Sequence, residues 1–151
     1  MDMIIQLLTN FIVSGAFAVL FNVPVKNILQ CCVVGMVGRL LHSSLMNHDY
    51  NTVQATLIAA LSIGIVSRIF ARIYKTPVIV FSISGILPLV PGGLAYEATR
   101  NFVEDHYNLA IQFSVKAIMT AGSIAVGLVL AEAIMIILKI RKKIHFNGFD
   151  K

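Results

Sequence analysis

The stretch Ala117–Leu138, AIMTAGSIAVGLVLAEAIMIIL, contains a single charged side chain, Glu132. A helix needs about 20 predominantly apolar residues to cross the roughly 30 Å hydrocarbon layer of a bilayer. This stretch meets that requirement. A continuous helix also satisfies its own backbone groups in lipid, where no water is present to do so.

Four further stretches share this character. They are 3–20, 28–46, 53–73 and 78–95, and with 117–138 they make five crossings. The fold class expected is therefore all-α: a polytopic transmembrane bundle forming one membrane domain over 1–151. Short alternating segments, as in a closed barrel, are not seen. A four-crossing arrangement, with the fourth segment re-entrant or one weak segment peripheral, stays open. The opening MDMIIQLL lacks the positive region of a secretory signal, so the first stretch is expected to stay as a membrane segment.

Composition agrees. The chain is 58% hydrophobic and 13% charged, against about 25% charged in soluble domains. A soluble domain of this length would need far more polar surface. The net charge of +5 raises the question of nucleic acid. The basic residues lie between apolar runs and in KIRKK (Lys139–Lys143), which suits membrane topology better, so no nucleic-acid partner is expected.

The connections are short. They comprise Phe21–Asn27 (FNVPVKN), Asn47–Thr52 (NHDYNT), Tyr74–Pro77 and a longer, charge-rich Tyr96–Asn108. With five crossings, Lys26, Arg68, Arg72, Lys75 and the basic tail 139–151 fall on one side. Arg100 is the only basic side chain in the connections on the other. The positive-inside rule makes the first side cytoplasmic, with the N-terminus outside.

Small residues mark helix faces: Gly35 after Cys31, Gly38, Ala60 with Gly64, and Ser123, Gly127 and Ala131. Such stripes let helices approach closely in lipid. Cys31 and Cys32 are adjacent in an apolar run and read as packing residues, not as metal ligands.

The special local element is Ser82–Tyr96, SISGILPLVPGGLAY. Pro88 and Pro91 remove amide donors, while Gly85, Gly92 and Gly93 loosen the chain. A kink or break is expected, and its free backbone groups suit an ion or a substrate carboxylate. A plain structural kink, or simply the outer end of the segment, is the competing reading.

Among ionisable groups, Arg39 lies about 16 Å from the inner end of its helix. Its guanidinium suits a bidentate bond to a carboxylate, or a structural ion pair. His42, one turn onward, and Glu132 are candidates for proton coupling. Glu132 is also placed to pair with Arg68 or Arg72. The chain presents no phosphate loop, nucleophile elbow or metal-ligand spacing, so neither enzyme chemistry nor a cofactor is expected.

Three elements together carry a family resemblance: Phe21-Asn22-Val23-Pro24, Cys32-x-x-Gly35-x-x-Gly38-Arg39, and Pro88-x-x-Pro91-Gly92 with Tyr96. The chain resembles the small subunit of the threonine/serine exporter family in its split form. That portion corresponds to the C-terminal membrane domain of fused members. The resemblance implies secondary-type export, across the cell membrane, of small polar metabolites: threonine- or serine-like amino acids, or a dicarboxylate such as succinate. It also implies a larger membrane subunit as partner. Pro88, Pro91 and Gly92 carry over most directly, followed by Asn22, Pro24, Gly35 and Gly38. Five short helices supply little wall for an alternating-access path, so a heteromer or a homo-oligomer is expected to complete it. A non-transporting scaffold is the alternative, and it predicts that Arg39 and Glu132 are satisfied by intrachain pairs and that no polar cavity reaches the break in the fourth segment.

Overall fold

In the computed structural model, backbone is described for residues 2–147 and side chains for residues 4–138. Six helices follow one another: α1 (Asp2–Leu20), α2 (Val25–Met46), α3 (Thr52–Tyr74), α4 (Val78–Ile86), α5 (Gly92–Val103) and α6 (Tyr107–Asn147). A 3-10 turn, Leu87–Leu89, joins α4 to the break before α5. The expected basic tail 139–151 lies outside the residues whose side chains are described.

Five similar crossings were expected; the structure differs in two respects. First, α2, α3 and α6 are each long and apolar enough to span a membrane, while α4 and α5 are bent by 46° at their junction, the geometry of a broken span or a re-entrant loop. The apolar part of α1, Ile4–Leu20, is shorter than these spans. Second, the Tyr96–Asn108 connection is mostly helix: α5 fills it, leaving Glu104–His106 as the link to α6. Its charged residues suggested a loop, but α5 is amphipathic, with Ala98 and Asn101 buried and Thr99 and Arg100 exposed. Likewise α2 begins at Val25 with Pro24 as its N-cap, before the expected position 28.

Four of the turns share one construction. Asn22, Asp49, Lys75 and Asp105 have φ of 54°, 60°, 51° and 61°. Behind each left-handed residue the next amide reaches back five residues. Val23 donates to Ala18 at 3.0 Å, Tyr50 to Leu45 at 3.4 Å, Thr76 to Ala71 at 3.2 Å and His106 to Asn101 at 2.9 Å. This is the bond that closes a helix C-terminus when the chain turns left-handed. Asn and Asp tolerate that conformation better than most residues because their short polar side chains can bond locally. The Asn22-Val23-Pro24 element is thereby accounted for as a turn: one residue ends α1, and the proline starts α2.

Side-chain contacts fix the helix directions. Along α1 and α2, Ser43 bonds Gln6 at 3.2 Å, Gly35 meets Ser14, and Gly15 meets Cys32, so the two run antiparallel. Along α2 and α4, Asn27 donates to Thr76 at 2.9 Å, Cys31 approaches the Val80 carbonyl at 3.6 Å, Gly35 faces Gly85, and Gly38 faces Leu89. Both numbers rise together, so α2 and α4 run parallel. The same holds for α3 and α6, where Gly127 meets Leu57 and Ala60, and Gly64 meets Ala131.

One end of the bundle therefore collects Lys26, Arg72 and Lys75. The core between the ends is formed by small and branched residues: Cys31, Val34, Ala59, Ala60, Ile63 and Phe81 are all 0% exposed. Phe70 on α3 packs edge-on against Phe81 on α4, with ring centroids 6.1 Å apart.

Candidate functional site

The α3–α6 seam positions the main polar feature. Gly64 is followed one helical turn later by Arg68, and Leu128 by Glu132. Small side chains at Gly64, Gly127 and Ala131 let the two helices close together, which is how in-membrane packing is achieved without a hydrophobic driving force. One turn beyond these contacts, the Arg68 guanidinium donates to the Glu132 carboxylate as an ion pair. The Arg68 side chain is 20% exposed and that of Glu132 61%. The pairing expected from sequence, with Arg68 or Arg72 as partner, is thus made by Arg68.

This pair lines a cleft of about 270 Å³ between α3, α4 and α6, with Ser82 of α4 on its third side. A second cleft of about 360 Å³ adjoins it toward the basic end, lined by Arg68, Arg72 and Thr76. Ser82 was not a candidate from sequence, and neither Arg72 nor Thr76 was read as lining a site. The available signal was the stripe Gly64, Arg68, Arg72, one residue per turn along a single face of α3.

The candidates around the fourth segment fall elsewhere. Gly85 is buried against Val34 and Ile63, Gly35 lies against Ser14 of α1 with Gly85 beyond it, and Gly38 lies against Ile63 of α3 with Leu89 beyond it, so these glycines let α2 pack closely on α1, α3 and α4. Pro88 lies within the 3-10 turn, and Pro91 is the N-cap of α5. They produce the expected break. Gly92 and Gly93, however, take ordinary helical dihedrals rather than left-handed ones, and a side chain added at either would meet nothing within 4 Å. The break is set by prolines alone, and the two clefts lie nearer the opposite end of α4.

Arg39 sits beside Gly38, level with Leu89 and the break. Its Nε is buried without a hydrogen-bond partner among the described residues. By the α1–α2 register, Asn10 lies opposite it, and Gln6 and Ser43 bond one turn further on. His42 is half-buried on the next turn of α2. Gly38 contacts Ile63 on α3, five residues before Arg68, so Arg39 and the Arg68–Glu132 pair lie about 8 Å apart in depth. The expected combination of Arg39, the break and Glu132 is therefore two polar levels, separated by packed core. Of what a scaffold predicts, Glu132 is paired within the chain and both clefts lie away from the break, while the Arg39 Nε has no partner among the described residues.

Ala60, Gly64 and Gly127 meet across the α3–α6 seam, while Ser123 is buried and bonds back to the Met119 and Thr120 carbonyls. Cys31 and Cys32 are buried free thiols.

Three helices long and apolar enough to cross a membrane, with the bent α4–α5 pair beside them, define a multi-pass helical protein of the cell membrane. The family model described as Threonine/Serine exporter, ThrE, matches residues 6–134, and the chain belongs to that family. It is a transporter-family chain and not an enzyme. No solved structure matches it.

Proposed function

We propose that this chain is one subunit of a secondary-type exporter of small polar metabolites, completed by a larger membrane subunit of the same family. The observation that carries this reading is the Arg68–Glu132 pair at the mouth of the α3–α4–α6 cleft. Ionised groups within membrane helices are costly and face cavities or partners in preference to lipid. Glu132 leaves 61% of its side chain open as the single charged residue of Ala117–Leu138, so neighbouring water or protein is required beside it. A second subunit against this face would supply that wall.

The gathering of Lys26, Arg72 and Lys75 at one end supports a cytoplasmic C-terminus and an external N-terminus. Substrate then meets the Arg68 level first from the cytoplasm and the Arg39 level second. Arg39 serves as the outer carboxylate contact, with His42 beside it as the candidate proton-coupling group.

The test is flux in proteoliposomes, with this chain alone and with the larger subunit, over a panel of amino acids and dicarboxylates. Selective flux is expected only with both chains. Selective flux from this chain alone would remove the partner, and none from the pair would remove the exporter reading.

A further inference from the structure

The Arg68–Glu132 pair presents one cation and one anion side by side at the edge of a cleft, with the Ser82 side chain opposite. Resting on the exporter reading above, we infer that this pair is the specificity-determining receptor for the substrate, and that it is opened by a zwitterion. The substrate carboxylate takes the Arg68 guanidinium, and its α-ammonium takes the Glu132 carboxylate. No covalent bond changes and no proton moves.

Opening the pair leaves each charge in need of a new counter-charge. An ionised group left without one on a membrane helix is disfavoured. A lone carboxylate inserted at Arg68 leaves Glu132 without a counter-charge and brings two anions together. A lone amine does the converse to Arg68. An α-amino acid carries both charges on one carbon, so it replaces each partner as it parts the pair. A polar side chain on the same molecule meets Ser82 across a cleft of about 270 Å³, which holds a molecule of that size. A dicarboxylate brings a second carboxylate against Glu132, with Arg72 as a further cation in the adjoining cleft.

Glu132 is thus a binding group that admits the ammonium and turns away a second anion. Arg68, in its planar fork, holds the carboxylate bidentately.

The test compares inhibitors of radiolabelled serine flux in the reconstituted two-subunit exporter. The inhibitors are serine, 3-hydroxypropanoate (no ammonium), ethanolamine (no carboxylate) and succinate. In the wild-type chain, serine is expected to exceed each of the others by at least about tenfold, because an analogue lacking one group leaves a polar partner unpaired. In Glu132→Gln, which keeps an oxygen to accept from Arg68, the advantage of serine over 3-hydroxypropanoate should collapse and succinate should gain. Glu132→Asp, which keeps the charge, should retain the wild-type order. An unchanged order in Glu132→Gln with flux intact overturns the inference and leaves the exporter reading standing. Absence of flux for every solute in the wild type overturns both.

Discussion

Replacing Gly127 by alanine is expected to destabilise the folded chain by about 1–3 kcal/mol, the usual cost of forcing an extra carbon into a packed site. The same change at Gly122, five residues earlier on α6, is expected to be neutral or to stabilise by up to about 1 kcal/mol through helix propensity. The contrast follows from what each new methyl would meet. At Gly127 it would lie 2.7 Å from the Leu57 carbonyl oxygen, 2.9 Å from the Ala60 side chain and 3.1 Å from the Leu61 nitrogen. Two of these are backbone atoms of α3, which cannot swing aside. The helices must separate, and the Arg68–Glu132 pair one turn beyond would part with them. At Gly122 nothing lies within 4 Å. Unfolding midpoints in detergent check this directly; equal midpoints for the two variants would show that α3 and α6 do not pack through Gly127.

The second large effect belongs to Arg68. Arg68→Ala is expected to lower flux by about two orders of magnitude, equivalent to about 2.7 kcal/mol, which falls within the range for truncating one member of a hydrogen-bonded charge pair. It also strands Glu132 beside apolar surface. The stability loss should be smaller than for a fully buried pair, because Glu132 is largely open. The double variant Arg68→Ala/Glu132→Ala should then be more stable than the sum of the single changes predicts, since removing both charges strands neither. Arg68→Lys should recover only part of the flux, because a point charge cannot reproduce a two-pronged bond. Full flux in Arg68→Ala, with normal assembly, would remove Arg68 from the transport path.

Much of this arrangement can be read along the chain. The apolar runs define helices α2, α3 and α6 because a lipid-facing helix needs no polar face. The small residues at Gly64 and Gly127 mark a close seam, and counting turns from them places Glu132 near Arg68. What could not be read was long-range. Whether Glu97 and Arg100 belong to a loop or to an amphipathic helix depends on α6 lying alongside to bury Ala98 and Asn101. The break at Pro88 and Pro91 was legible, but not that a cleft would open near the other end of α4. That cleft exists because α4 leans on α2 while α6 leans on α3, and such pairings leave no periodic trace in either segment. The turns are intermediate. Asn22, Asp49 and Asp105 are residue types that favour a left-handed stop, yet Lys75 occupies the same position with no such preference.

The most direct measurement of the central claim is substrate protection of a thiol placed in the cleft. In the two-subunit exporter, Ser82→Cys should react with a membrane-impermeant thiol reagent added from the cytoplasmic side, while Cys31 and Cys32, being buried, should react far more slowly. Saturating substrate is predicted to slow modification of position 82, because the substrate occupies the space between α3, α4 and α6. An unaltered rate at saturating substrate, in protein that still carries flux, would place the transport path elsewhere and contradict the account.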